Sequence, residues 1–367
     1  MSKVPTPETI DARWLTERLR AAGHASAEVK SFRRERIGTG QIGKCIRFDL
    51  ELAPGAGAAP TRLVGKFPSD DPTSRASGLK LRSYLKEVSF YRELQPRLTI
   101  STPRCYFSAI EGEGPEFMLL LEDLAPARQG DQLAGCSPEV ARAAVLELVG
   151  LHAPSWGDPS LRGIDWLGEP SEATVELGRA LYRAQLPGFL ARYGAQLEPD
   201  EARIIEAVAD SKGPPFGRSD TPLSLVHVDY RLDNLLIDER CSPPRITAVD
   251  WQSIGLGCAL SDVAYFLGAG LLPEVRRPVE EEIVRSYHAR LAAAGVRDYP
   301  WERCWQDYRR GAFAGFAVTV IASTMVEQTQ RGDEMFVAMA RRHSRHALDL
   351  GAGELLSQSA PRPRLSR

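Results

Sequence analysis

The stretch LVHVDYRLDNLL, residues 225–236, places the strongest constraint on what this chain can become. Apolar runs open and close it, yet His227, Asp229, Arg231, Asp233 and Asn234 stand between them. A buried strand does not tolerate such a set, because each unpaired buried polar group costs about 1–3 kcal/mol. The segment is therefore a loop between two core-forming pieces, either an ordinary surface turn or one that carries chemistry. The next apolar run, RITAVD at 245–250, ends on a second acid, Asp250. The spacing from Asn234 to Asp250 suits a hairpin of two short strands, NLLID and RITAVD, which carries Asp250 back beside Asn234.

The rest of the chain predicts two unlike halves. Its 367 residues exceed what one core usually holds, so two domains or one two-lobed unit are expected. Residues 6–22 read as a helix opened by Thr6 or Pro7, with Ile10, Trp14, Leu15 and Leu19 at helical spacing. KCIRFDLEL, 44–52, alternates as a half-buried strand; the Gly/Pro/Ala-rich loop 53–61 follows, then the return strand RLVGKFP, 62–68. A long helix is predicted over 76–95, with Leu81, Leu85, Val88, Tyr91 and Leu94 on its apolar face, and then a hairpin of 103–110 and 117–123. Short connections make this first part antiparallel. Beyond Leu124 helices dominate, at 137–153, 173–195, 199–210, 261–271, 278–294, 301–322 and 331–350, with short strands at 223–226, 234–237 and 246–250. The predicted boundaries are 1–124 for the β-rich part, 125–356 for the helical part, and 357–367 for a disordered polar tail.

Bulk properties exclude several classes. A formal net charge of -2 gives no field for non-specific nucleic-acid binding. The six cysteines are scattered, none in a CxxC pair, which argues against a zinc site or redox dithiol and fits a reducing compartment. The N-terminus lacks the apolar core of a signal peptide. The apolar run 311–326 is too short for a membrane span and contains Thr319, Ser323 and Thr324, so a buried helix is expected. A soluble cytoplasmic protein is the expectation.

Three further motifs combine with the opening stretch. RIGTGQIG contains Gly38, Gly40 and Gly43 in a GxGxxG pattern. A dinucleotide fold would need a helix next and an acid some 20 residues on. Here a strand follows, and residues 52–69 contain no Asp or Glu. Strand–glycine loop–strand suits a lid over nucleotide phosphates, where glycine lets the backbone approach closely; a plain hairpin turn is the other reading. Lys66 in the return strand is by itself an ordinary solvent-facing residue, and Glu87 an ordinary helix residue. Together they make an ion pair that would fix an ammonium against the α- and β-phosphates. Phosphoryl transfer also needs a carboxylate to orient the acceptor hydroxyl, which Asp229 supplies, and oxygen ligands for Mg²⁺, which Asn234 and Asp250 supply. Arg231 either faces the transferred phosphoryl group or is a surface side chain. Asp233 reads as a turn or cap residue, and His227 as a structural loop residue.

In that order, the motifs resemble the aminoglycoside phosphotransferase and choline kinase superfamily of small-molecule kinases. The branch they look most like is the ecdysteroid kinase-like one, through EVSFYREL around Glu87, LLLEDL at 119–124, HVDYRLDNLL, and DWQ at 250–252 followed by SDVAYFL. The resemblance spans roughly residues 31–330. It implies an α+β, protein-kinase-like two-lobed fold, with a small antiparallel β N-lobe around one main helix and a larger, mostly helical C-lobe. It implies ATP or GTP with Mg²⁺ as cofactors. Asp229 matches the family's base, Asn234 and Asp250 its metal ligands, and Lys66 with Glu87 its phosphate anchor. Asp262 matches an acid that braces the catalytic loop, and the segment around Glu122 and Leu124 matches a hinge that meets the purine. Val228 departs from the pattern, which usually has glycine there, and Trp251 stands where phenylalanine is frequent.

A protein kinase is disfavoured, because too few residues separate Asp250 from Asp262 to form a peptide-seating segment, and no APE-like sequence follows. A non-catalytic nucleotide-binding scaffold is the alternative from another class, yet no key residue is lost. For the acceptor, residues 262–350 carry about as many acids as arginines, which does not predict the strongly negative site a polycationic aminoglycoside needs. Trp301, Trp305 and Tyr308 share one helical face and are either core or the wall of a site for an apolar hydroxyl compound. A choline-type ammonium would bind such a wall through cation–π contact. The expectation is a kinase for a small, fairly apolar molecule bearing a hydroxyl, with antibiotic phosphorylation as the runner-up, no nucleic-acid or membrane partner, and oligomeric state undetermined.

Overall fold

The computed structural model describes residues 4–38, 42–168, 171–216, 220–326 and 328–357. Gly40 and all of the predicted tail beyond Ser357 lie outside them. The chain divides into two compact units: residues 1–97, 102–126 and 250–253 form the first, and 98–101, 127–249 and 254–367 the second.

The first unit opens with helix α1, Ala12–Ala21. It starts later than Thr6 or Pro7, because the Asp11 side chain accepts the Trp14 N–H at 2.7 Å and so supplies the N-cap. Strands β1 (Val29–Ile37), β2 (Gly43–Leu52) and β3 (Arg62–Pro68) follow, then helices α2 (Pro72–Lys80) and α3 (Ser83–Ser89), and the hairpin β4 (Cys105–Ile110) and β5 (Phe117–Glu122). All five strands pair antiparallel in the order β1-β2-β3-β5-β4. The alternation read in β2 has its physical cause here: Phe48 and Leu50 face a core with Leu15, Leu19, Leu63, Phe67, Met118 and Leu120. The helix predicted over 76–95 is broken. Arg82 adopts φ 56, Leu79 and Leu81 stay exposed, and the buried register starts afresh at Tyr84 and Val88 before a π-helical turn at Phe90–Leu94.

The second unit holds β6 (Arg128–Gln129), α4 (Pro138–Glu147), α5 (Val149–His152), α6 (Glu172–Tyr193), α7 (Pro199–Ala209), β7 (Ser224–Val226), β8 (Leu235–Asp238), β9 (Arg245–Ala248) and β10 (Gly255–Gly257). Helices α8 (Leu260–Gly270), α9 (Pro273–Arg276), α10 (Glu280–Ala293), α11 (Trp301–Gly311), α12 (Ala314–Met325) and α13 (Gln330–Asp349) complete it. β8 and β9 form the predicted hairpin, paired from Leu235↔Ala248 to Asp238↔Arg245. α8 is buried along nearly its whole length, which suits its apolar sequence. The helix predicted over 301–322 is two helices, because α11 packs on α8 whereas α12 turns to pack on α6 and α13. Among the described residues, no helix is long and apolar enough to cross a membrane.

Candidate active site

In the first unit the pleat of β3 turns Lys66 toward α3. Its Nζ donates to Glu87 Oε1 at 2.7 Å and to Asp250 Oδ1 at 2.8 Å. Both Lys66 and Glu87 are largely shielded from solvent. Burial opposes the lysine's charge, but the carboxylates of Asp250 and Glu87 outweigh it and hold the ammonium protonated well above its ordinary range. Asp250 adopts φ 66, and Gln252 Nε2 donates to its Oδ2 at 3.2 Å. Trp251 secures this segment by stacking on Phe90, with ring centroids 3.9 Å apart and planes within 7°. Of the glycine loop, Gly38 has φ +71, a conformation that glycine adopts without steric penalty, and a Cβ placed there meets nothing within 4 Å. Bare backbone therefore faces open space at the turn between β1 and β2. Glu122 ends β5, where its carboxylate accepts the Arg104 N–H at 3.2 Å, and Leu124 is half-buried.

In the second unit the loop between β7 and β8 is tied from below by Asp262, the first-turn acid of α8. Its carboxylate accepts the backbone N–H of His227 at 2.6 Å and of Val228 at 3.0 Å. His227 is fully buried, and its Nε2–H donates to Val249 O at 3.0 Å. Val228 sits at φ 72, where a β-branched residue is strained, and its side chain remains 40% exposed. Asp229 then receives three donors. Asn234 Nδ2 reaches Oδ2 at 2.9 Å, Arg231 Nε lies 3.1 and 3.2 Å from the two oxygens, and the Tyr265 hydroxyl donates to Oδ1 at 2.8 Å. Arg231 also bonds to Asp233, and its Nη1 approaches Met335 Sδ at 3.2 Å. Asp233 anchors the loop: it accepts the Gln132 N–H at 3.0 Å and pairs with Arg331. The Val249 N–H donates to Asn234 O at 3.0 Å, so the chain leaves the β8–β9 hairpin at Asp250 directly after a bond to Asn234.

The aromatic ridge is core at one end only, since Tyr308 is buried whereas Trp301 and Trp305 are half-buried. Tyr308 bonds to His346, Trp305 stacks on Tyr308, and Trp301 stacks on Trp305 and also meets the edge-on His288 ring and the Arg285 guanidinium, 4.0 Å from the Trp301 centroid.

Comparison with known proteins bears on this arrangement. Residues 60–311, well over half of the chain, match the model of the phosphotransferase enzyme family. The chain belongs to that family. The match spans Lys66, Glu87, Asp229, Asn234 and Asp250, and it makes the protein a phosphotransferase.

Solved structures share the phosphotransferase fold at low identity. The GDP complex of wild-type aminoglycoside 2'-phosphotransferase-IIIa aligns with TM-score 0.51 and 12% identity, over 91% of this chain and 99% of that one. A choline kinase from Cryptosporidium parvum Iowa II gives 0.50 and 10%, over 87% and 89%. A Plasmodium vivax ethanolamine kinase gives 0.52 and 9%, over 86% and 83%. At such identities the likeness is one of fold. Among curated proteins, no sequence matches this phosphotransferase.

Two residues of the site escaped sequence reasoning. Tyr265 lies one helical turn after Asp262, a spacing that puts both on one face of α8 and was legible in SDVAYFL. Met335 carries no local signal at all.

Proposed function

We propose that this phosphotransferase moves the γ-phosphoryl group of a nucleoside triphosphate, taken to be ATP, onto a hydroxyl of a small molecule with an apolar surface next to that hydroxyl. The observation that carries the reading is the Asp229 carboxylate, partly open to solvent at 22% and held by Asn234, Arg231 and Tyr265. A carboxylate so oriented can accept the proton of an acceptor hydroxyl as the oxygen attacks phosphorus. Arg231 is read as a holder of Asp229. Lys66, steadied by Glu87, grips the α- and β-phosphates, and bare backbone at Gly38 covers them. Gly43 of the same motif opens β2 and pairs with Pro68 of β3, and the backbone around Glu122 and Leu124 meets the purine. His227 and Asp262 support the catalytic loop.

The residues fit magnesium. Among the described residues, no three His, Cys, Asp or Glu side chains gather into a cage. Magnesium does not ask for one, since it keeps water and phosphate oxygens and takes one or two protein ligands. Asn234 gives its amide nitrogen to Asp229, which leaves the amide oxygen on the opposite edge, and Asp250 offers a carboxylate. These two would hold the ion. When bound, it neutralises charge on the phosphate oxygens.

The acceptor class follows from what lies beside the base. Tyr265, in contact with Asp229, belongs to a small apolar cluster with Ala269 and Met339, and half-buried Ala314, Val318 and Met335 pack against it. Met335 also touches Arg231. Apolar surface therefore begins at the base itself, which supports the ecdysteroid kinase-like branch. Asp233 is engaged by Arg231 and Arg331, and Asp131 by Arg331, so these acids offer little to a polycation. Arg285 covers Trp301, which argues against choline on the ridge. An ADP-release screen against sterols, aromatic alcohols, macrolides, aminoglycosides and choline tests the reading, with Asp229→Asn as control. Turnover confined to sterols or aromatic alcohols is expected; selective turnover of aminoglycosides or choline overturns the acceptor class.

A further inference from the structure

Tyr265 and the residue beneath it form a support that the chemistry above does not require by itself. The tyrosine is buried on α8, and its hydroxyl reaches Asp229 Oδ1 at 2.8 Å. Burial, with the Asp229 charge beside it, keeps the phenol protonated well above its ordinary range, so it acts as a donor throughout the neutral region. Its ring stacks on His343 of α13, with centroids 5.2 Å apart and planes at 29°. His343 is fully buried, and neither ring nitrogen has a hydrogen-bond partner among the described residues. Two helix glycines make room for it. A Cβ on Gly315 would lie 2.2 Å from the imidazole, and one on Gly268 would lie 2.8 Å from it. Glycine inside a helix and an unpaired buried imidazole both cost stability. Burial also leaves His343 neutral, its pKa pushed down to about 3, so the stack is not a charge contact. What the arrangement secures is the position of the Tyr265 ring.

We propose that Tyr265, buttressed by His343, is a positioning residue for the Asp229 base, an inference that rests on the phosphotransfer reading above. Without the phenol, Oδ1 keeps only a share of Arg231 Nε, while Oδ2 keeps Asn234. The carboxylate can then swing about the Asn234 bond, and the hydroxyl it should orient is met less often in line with the phosphorus. A misplaced base loses part of the rate that a positioned one contributes.

A double-mutant cycle separates this role from simple packing. Asp229-dependent ADP release from MgATP, with water as the acceptor, is measured for the full chain, Tyr265→Phe, Asp229→Asn and the double variant, alongside MgADP affinity by calorimetry. Tyr265→Phe should lower turnover about tenfold while KM for MgATP and MgADP affinity stay within about twofold. In the Asp229→Asn background the same change should cost less than about twofold, because residues that act as a unit are not additive. His343→Ala should reproduce the Tyr265→Phe loss, and His343→Phe, which keeps a stacking ring, should recover most of it. Wild-type turnover in Tyr265→Phe, or an equal loss in both backgrounds, overturns the proposal while leaving the function intact. ADP release that does not depend on Asp229 overturns the phosphotransfer reading and this inference with it.

Discussion

Asp262→Asn offers a sharp test of how the catalytic loop is held. The native carboxylate accepts two backbone N–H groups, from His227 at 2.6 Å and Val228 at 3.0 Å, in a site 1% exposed. Bonds to a charged group contribute about 1.5–3 kcal/mol each. Asparagine keeps one acceptor oxygen and turns an NH₂ toward the other N–H, so one bond is lost and a buried donor faces another. The sum is a loss of about 3 kcal/mol. Val228 adds to the effect, since its φ of 72 stores about 1–3 kcal/mol that persists only while the surroundings enforce it. For a domain of this size, 1 kcal/mol corresponds to about 2–4 °C, so Tm should fall by about 6–12 °C. Turnover should fall by at least about 100-fold, because Asp229 directly follows the released residue. Val228→Gly in the same background should restore about 1 kcal/mol, since glycine occupies that conformation without penalty. Thermal melts by circular dichroism and the ADP-release assay measure both. If Asp262→Asn melts within 2 °C of the parent (about 1 kcal/mol at most), or Val228→Gly gives no recovery, the carboxylate is not what holds the strained turn.

Three further outcomes are expected. Lys66→Met leaves Glu87 buried without its cation, a loss of about 3–5 kcal/mol, whereas Glu87→Gln should cost less because Asp250 still holds Lys66; urea titration compares them, and equal losses would contradict the shared pairing. Asp229→Asn should cut turnover about 10²–10⁴-fold with MgADP affinity nearly unchanged, and Asp250→Asn should weaken MgADP binding itself; calorimetry showing the same affinity for both would refute the division of roles. His343, with its pKa pushed from 6.5 to about 3 by burial, stays neutral in the fold while the unfolded chain takes up a proton below pH 6.5. Its contribution is thus intact above that pH and declines by about 1.4 kcal/mol per pH unit as pH falls toward 3. His343→Phe should lose less stability than the parent between pH 7 and 5, and parallel melting curves would show that the imidazole is not the group responsible.

Much of this was readable along the chain because it depends on neighbours a few residues apart. The HxDxxxxN spacing, the β8–β9 hairpin that returns the chain to Asp250, and the alternation of β2 are local patterns set by backbone period and the need to keep polar groups out of a core. Boundaries fared less well where tertiary packing overrode periodicity. Leu81 fits the apolar stripe of a long helix, yet the chain breaks at Arg82 and leaves it exposed; 301–322 reads as one helix but is two, serving different partners.

By itself, then, the sequence determined the antiparallel and helical halves, the identity of the acids and the lysine, and their order along the chain, since each follows from short-range pattern and side-chain chemistry. Only the tertiary structure decided which carboxylate Lys66 meets across 184 residues, that Tyr265 rather than the tryptophan ridge attends the base, and that apolar Met335 lies beside Arg231. Those contacts join residues whose separation leaves no periodic trace; they arise from how helices and strands pack, and packing is a property of the whole fold.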